Sequence, residues 1–510
     1  MKYPIAAVMT IALSWMLAAL ANAADAPPPP RPNVLFILVD DFGQRDLSCY
    51  GSSYYETPHM DRLASSGAKF TQAYVAYPRC VPSRYAILTG RHPANVQGDR
   101  DSPHVEPERD ATLGQAFKAA GYSTFYCGKW HLGEGASNPD KVGFDTIVAA
   151  GAAGAAHSLF APYNVARGKA GKNSGDGDEK DAILGLEDAP ADEYLTDRLT
   201  QETLKFIEGH QDKPFFAVLA HYAVHTPIEG KKHLVKRYSD KLSSRPAPAA
   251  LWEKESAGEN YLVQDNPTYA AMIESVDNGI GRLLNHLKKL GLEDNTIVIL
   301  ASDHGGLSTR GGKREVATSN RPLRAGKGHL YEGGLRIPLL VRWPSGTKPG
   351  TEIATPVSTL DLFPTLVEMA GISLPPQAGT DGVSIAPLLQ GGQPPSRDTF
   401  FWHNPAPRPA STGDWFSSAI RQGDLKLLDF PTENRVELYD LAADPGESLN
   451  LAEQRPADKD RLLARLNEWR KTVSASTTPK IKKTKKAKNS HLHPWSAAAL
   501  GMPLLLIPFL

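Results

Sequence analysis

The run Val34-Leu35-Phe36-Ile37-Leu38-Val39 is apolar at every position and rich in β-branched and aromatic residues, which predicts a central strand buried on both faces. Similar runs recur at Phe215–Leu219, Thr296–Leu300 and Pro338–Val341, separated by helical patterns at Ala111–Ala120, Glu193–Glu208 and Thr268–Leu290. Strand and helix in alternation predict an α/β fold, a mostly parallel β-sheet flanked by helices. After a last helical pattern at Leu360–Met369, a Pro/Gly-rich stretch runs from Gly371 to Pro395. Beyond it come short strands at Thr399–His403, Ser418–Arg421 and Leu425–Asp429, then an amphipathic helix at Asp458–Thr472. We therefore expect a large α/β domain over residues 33–375 and a smaller C-terminal α+β subdomain over 376–475.

The two ends read differently. Met1-Lys2, the apolar stretch Ile5–Leu20 and Ala21-Asn22-Ala23 have the charge, core and small-residue exit of a secretory signal peptide over residues 1–23, followed by a Pro-rich spacer over 24–32. The expected location is secreted or periplasmic. Residues 476–510 form a Lys-rich tail with an apolar end that is short for a bilayer and interrupted by Pro503 and Pro508, so no stable membrane span is expected. The segment Gly151–Ala189 reads as a long loop or insertion. Lys and Arg total 56 against 56 Asp and Glu, so nothing in the overall charge points to nucleic acid. Three cysteines are too few for a disulfide framework.

Chemistry-bearing residues cluster just after the apolar runs, where ligands gather in open α/β sheets. The first run ends in Asp40-Asp41, the Phe215 run in His221-Tyr222-Ala223-Val224-His225, and the Thr296 run in Ser302-Asp303-His304-Gly305. Adjacent carboxylates repel unless a cation sits between them. An oxygen-dominated set from Asp40, Asp41 and Asp303 favours a hard divalent ion, Ca²⁺ or Mg²⁺.

The dodecapeptide Cys80-Val81-Pro82-Ser83-Arg84-Tyr85-Ala86-Ile87-Leu88-Thr89-Gly90-Arg91 resembles, without a mismatch, the signature of the type I sulfatases, members of the alkaline phosphatase superfamily. A second block, Gly121-Tyr122-Ser123-Thr124-Phe125-Tyr126-Cys127-Gly128-Lys129-Trp130-His131-Leu132-Gly133, is similar to that family's second signature. The resemblance spans most of residues 33–450 and implies an alkaline phosphatase-like fold. It also implies that a maturating enzyme oxidises Cys80 to Cα-formylglycine, whose hydrate is the nucleophile. By the same resemblance, Asp40, Asp41, Cys80, Asp303 and His304 hold the metal, with His304 standing where many members carry Asn. Arg84 fixes the hydrate, Lys129 and Lys327 contact the sulfate, His131 acts as base and His225 protonates the leaving alcohol. His329 is second shell or substrate facing. With Cys80 converted, Cys49 and Cys127 remain and could pair.

These roles suit the chemistry of a sulfate ester. Cleavage builds charge on the leaving oxygen while the SO₃ group stays anionic, so the site needs a cation, fixed N–H⁺ donors and a proton for the alcohol. The expected activity is hydrolysis of O-sulfate esters, with sulfated carbohydrate as the substrate class. Two alternatives stay open: a phosphonate or phosphate ester hydrolase of the same superfamily, and a non-catalytic sulfated-glycan-binding relative. The substrate pocket is expected from Pro103–Val105, the Ser137–Asp188 region, Thr309–Arg321 and the loops near Trp402-His403 and Trp415. Within it, Arg310, Lys313, Arg314 and Arg321 are either solvated charge or a reader of a second sulfate or a uronate.

Overall fold

Successive side chains of the first strand, β1 (Asn33–Val39), enter two different cores of a computed structural model that describes residues 31–96, 102–164, 183–376, 378–476 and 478. Val34, Phe36 and Leu38 belong to one apolar cluster, Leu35, Ile37 and Val39 to the other. The period of two carries this split, and each fully buried side chain contributes about 1.5–3 kcal/mol. The expected signal peptide, spacer and Lys-rich tail lie outside the described residues, apart from their inner margins.

In chain order the remaining strands are β2 (Ala68–Tyr74), β3 (Ser123–Gly128), β4 (Thr146–Val148), β5 (Phe215–Ala220), β6 (Trp252–Glu255), β7 (Gly258–Tyr261) and β8 (Thr296–Ser302). There follow β9 (Thr309–Arg310), β10 (Arg336–Arg342), β11 (Thr351–Ile353), β12 (Val357–Ser358), β13 (Thr399–Asn404), β14 (Ser417–Gln422), β15 (Leu425–Phe430) and β16 (Arg435–Asp440). The large sheet runs β11-β2-β10-β8-β1-β5-β3-β4, with β12 also on β2. β1 is parallel to β8 and β5, pairing Val34 with Ile297 and with Phe216, and β3 is parallel to β5. The carboxyl ends of β8, β1, β5 and β3 therefore open side by side. β10 runs antiparallel to both β2 and β8. The sheet is thus mixed and mostly parallel.

Helices cover the sheet faces. Pro58–Ser66, Leu195–Glu208, Lys232–Ser243 and Pro267–Lys289 bury their apolar stripes, Met272, Ile273, Val276 and Ile280 among them, in the cluster that holds Leu35 and Ile37. The second antiparallel sheet, β13-β14-β15-β16, carries helix Pro456–Thr472 on one face, where Leu462 and Leu466 meet Ile420, Leu427 and Leu438. Its other face sends Trp402, Ala419 and Leu428 into the main core. Among the described residues no helix is long and apolar enough to cross a membrane.

Cys49 and Cys127 are not paired. Cys127 faces the core, its thiol 3.6 Å from the Leu199 carbonyl, while Cys49 sits in a turn at Ser48–Tyr50. Burial pushes both thiols up, Cys49 to about 12.

Candidate active site

Four parallel strand ends and one helix start meet at Cys80. The sulfur lies 3.2 Å from His304 Nε2 and 3.7 Å from Asp40 Oδ1, and His304 Nε2 lies 3.3 Å from Asp41 Oδ1. Asp40 and Asp41 follow β1, Asp303 and His304 lie at and after the end of β8, and Cys80 opens helix Cys80–Thr89. Asp41 takes a left-handed backbone, φ 57°, which turns the two successive carboxylates toward one centre. One ligand atom from each of Asp40, Asp41, Cys80 and His304 falls within 4.8 Å of the others. Asp41 Oδ2 is buried with no hydrogen-bond partner. A buried orphan oxygen beside three other donor groups fits a divalent cation. Asp303 lies alongside, Oδ1 3.5 Å from His304 Nε2 and accepting the Asp41 N–H at 3.2 Å.

Cations enclose this acidic centre. Lys129 Nζ lies 2.5 Å from Asp40 Oδ2 and Lys327 Nζ 2.6 Å from Asp41 Oδ1. Arg84, one helical turn beyond Cys80, donates from Nε to Asp303 Oδ2 at 3.0 Å and from Nη1 to the Lys129 carbonyl at 2.8 Å. Burial alone would raise the Asp40 and Asp41 carboxyls, but the Lys129 and Lys327 ammoniums hold them below the usual range. Burial opposes the Cys80 thiolate as well, and the same two ammoniums bring the thiol well below its ordinary value. Despite burial, Asp303 and the Cys80 sulfur raise His304 to about 9. Burial lowers His131 and His225.

His131 and His225 flank the centre from two sides. His131 lines the cavity with Cys80, its Nδ1 buried with no hydrogen-bond partner, and its own backbone is left-handed, φ 58°. His225 Nε2 is 3.8 Å from Asp41 Oδ2, with Nδ1 set 2.8 Å from the Thr226 carbonyl oxygen. Cys80, His131, His225 and Lys327 line one cavity of about 440 Å³.

The sequence model of the sulfatase family matches residues 32–372. This chain belongs to the sulfatase family. As a sulfatase it hydrolyses sulfate esters, on the alkaline phosphatase-like fold that its sheet shows. A second model, N-sulphoglucosamine sulphohydrolase, C-terminal, matches residues 325–472. The chain is 32% identical over 469 residues to the steryl-sulfatase of Mus musculus, covering 78% of this chain and 71% of that one. It is 29% identical over 491 residues to the N-acetylgalactosamine-6-O-sulfatase of Bacteroides thetaiotaomicron, covering 84% and 90%. Its fold matches the crystal structure of Ps i-CgsB in complex with k-i-k-neocarrahexaose with a TM-score of 0.69 at 29% identity, covering 86% and 93%.

The pocket of this sulfatase differs from the expected one in two places, Trp402 and the basic loop. His329, expected either behind the site residues or facing substrate, is buried with Nε2 2.9 Å from the Thr412 carbonyl oxygen and does not line the cavity among the described residues, which fits the first of these positions. Trp402 is a core residue whose indole N–H donates to the Val75 carbonyl at 2.7 Å. Of the basic loop, Arg314 reaches the cavity, while Arg310 is held by Glu259 and Arg321 by Glu253. Arg79, His157 and Arg408 line the cavity as well. Sequence reading named none of the three individually: His157 falls inside the expected Ser137–Asp188 region and Arg408 between the expected loops at Trp402-His403 and Trp415, but neither has a period or a motif partner at fixed spacing to single it out. Arg79, adjacent to Cys80, had position as its one signal.

Proposed function

We propose that this sulfatase removes sulfate from sulfated carbohydrates through a formylglycine made from Cys80, with Ca²⁺ or Mg²⁺ held by Asp40, Asp41, Asp303 and His304. The observation that carries the substrate class is the cavity wall. Arg79, His157, Arg314 and Arg408 line it beside Cys80, a polar, cationic surface suited to hydroxyl and acidic groups rather than to a sterol. The named activity of the Bacteroides relative and the k-i-k-neocarrahexaose bound to Ps i-CgsB support the same class.

When present, the formylglycine hydrate supplies a geminal-diol oxygen nucleophile that can later re-form its aldehyde, and the cation supplies charge neutralisation. The Cys80 sulfur marks where that oxygen would lie. Lys129 and Lys327, fixed by Asp40 and Asp41, hold the sulfate oxygens. Arg84 orients the Cys80 side chain from the same helix face. His131 accepts a proton from that side chain, and His225, on the other side of the cavity, donates one to the departing alcohol.

Cys80 is 7% exposed and helical in the folded chain. A maturating enzyme would therefore meet Cys80-Val81-Pro82-Ser83-Arg84 before folding, which fits an exported protein that is secreted or periplasmic. In this reading residues 33–375 are the catalytic domain, and residues 376–475 form the subdomain that brings Arg408 to the pocket.

Steady-state kinetics of the mature protein with sulfated N-acetylgalactosamine, steryl sulfate, an aryl sulfate and an aryl phosphate test the assignment. The sugar sulfate is expected to have the highest kcat/KM. Preference by orders of magnitude for steryl sulfate or for aryl phosphate would overturn the substrate class or the reaction, respectively.

A further inference from the structure

Arginines around the catalytic cavity divide by whether a carboxylate already holds them. Arg79 meets Asp414 at 2.6 Å, Arg310 meets Glu259 at 3.1 Å and stacks over Trp252, Arg321 is paired with Glu253, and Arg324 forks onto Glu255 at 2.7 and 3.1 Å. Arg314 is different. Among the described residues no carboxylate pairs with it, and its one side-chain hydrogen bond runs from Nη1 to Ser411 Oγ at 2.9 Å. It lines the same cavity as Cys80 and Lys327; Arg408, exposed and with interactions of its own, lines it too.

The two loops that carry these arginines are locked together. The Gly311 N–H donates to the Ser411 carbonyl at 2.9 Å, and a Cβ on Gly311 would collide with the Pro409 carbonyl oxygen. The Arg408 carbonyl accepts N–H groups from Ser411, Thr412 and Gly413, and the Arg408 N–H donates to Asp414 at 3.2 Å. Asp414 is itself fastened by Arg79 and by Asn404 at 2.8 Å. Two guanidinium-bearing loops are thus pre-positioned at a cavity whose lining lysine, Lys327, is already engaged by Asp41.

Resting on the sugar-sulfatase reading, we infer that Arg314 anchors a second anion subsite, on the cavity wall that it shares with Arg408, which takes an acidic group of the substrate other than the sulfate that is cleaved. The shared chemistry is a planar or tetrahedral oxyanion, either a second sulfate ester or a uronate carboxylate. Binding there pays for desolvating one anion with charge-assisted hydrogen bonds, and it selects multiply charged sugars over singly sulfated ones.

The test compares mature enzyme on three sugars that share one hexosamine sulfate: that unit alone, the unit with a second sulfate, and the unit joined to a uronate. The ratio of kcat/KM for a doubly charged sugar over the singly charged one is expected to fall about ten- to hundredfold in Arg314→Ala and in Arg408→Ala, with partial recovery in Arg314→Lys. A fall confined to the second sulfate identifies a sulfate ester as the ligand, and one confined to the uronate identifies a carboxylate. A ratio that neither alanine variant changes overturns the subsite. Thermal melts confirm that each variant is folded, and Arg314→Gln replaces an alanine variant that is not. Should the mature enzyme turn over none of the three, the sugar-sulfatase reading fails. Calorimetric binding of the same sugars to Cys80→Ala protein, with and without Arg314→Ala, then decides the subsite: a lost preference for the doubly charged sugar supports it, and equal affinities overturn it.

Discussion

Nε2 of His304 approaches the Cys80 sulfur to 3.2 Å and Asp41 Oδ1 to 3.3 Å, so one imidazole edge touches both the reactive side chain and the acidic pair. Replacing His304 by Ala removes a nitrogen donor and leaves Asp41 and Asp303 without the imidazole that lies 3.3 and 3.5 Å from them. Calcium affinity, read by calorimetry, is expected to fall at least about tenfold, and turnover at fixed calcium with it. Unchanged affinity would mean that His304 is no ligand.

Gly154 packs against the His131 ring. A Cβ at Gly154 would lie 2.6 Å from both Cε1 and Nε2 of that ring, closer than any real contact, so Gly154→Ala must displace the imidazole. A displacement near 1 Å at a reacting group lowers rate about a hundredfold, and the loss should appear in kcat more than in KM. Wild-type kcat in this variant would remove His131 from the proton-transfer role.

Lys426 is buried on β15 between Glu332 at 2.9 Å and Glu447 at 2.8 Å. This triad ties the C-terminal sheet to the segment that follows Lys327. Lys426→Met leaves Glu447 without a paired cation among the described residues and Glu332 with Arg336 at 3.1 Å, and is expected to destabilise the fold by about 3–5 kcal/mol in urea unfolding. Adding Glu332→Gln and Glu447→Gln should recover most of that loss. A triple variant no better than Lys426→Met would show that packing, not charge, sets the cost.

Asp277 accepts the backbone N–H groups of His59 at 3.1 Å and Met60 at 2.8 Å, at the start of helix Pro58–Ser66. Burial pushes its carboxyl from 3.8 up to about 7. The folded value exceeds the unfolded one, so the stabilising contribution is full below 3.8 and is lost as pH rises through about 7. Asp277→Asn keeps an acceptor without the titration. The fall in Tm between about pH 5 and about pH 8 should therefore be smaller in the variant than in the wild type. Parallel pH profiles would contradict this.

The sheet was legible because its central strands are buried on both faces and so read as unbroken apolar runs, as Val34–Val39 does. Direction was not. Pro338–Val341 reads like its parallel neighbours, yet β10 runs antiparallel, since periodicity records burial and not polarity. β2 escaped notice because Lys69, Thr71 and Gln72 interrupt it. Asp40, Asp41 and His304 stood out by following apolar runs. Arg310 and Arg321 looked equal to Arg314 because their partners, Glu259 and Glu253, lie some fifty to seventy residues away on a hairpin whose acids follow no pattern. Arg408 reaches the pocket only through the packing of a loop that the sequence shows as Pro- and Ser-rich.

The central claim is that Cys80 is the precursor of the nucleophile, and the most direct measurement is the mass of the Cys80 peptide from protein made in a host that matures sulfatases. The account predicts a peptide lighter by the difference between –CH₂SH and –CHO, with only Cys49 and Cys127 left to titrate as thiols in the denatured chain. An unmodified Cys80 thiol, in a host that converts other sulfatases, would contradict it.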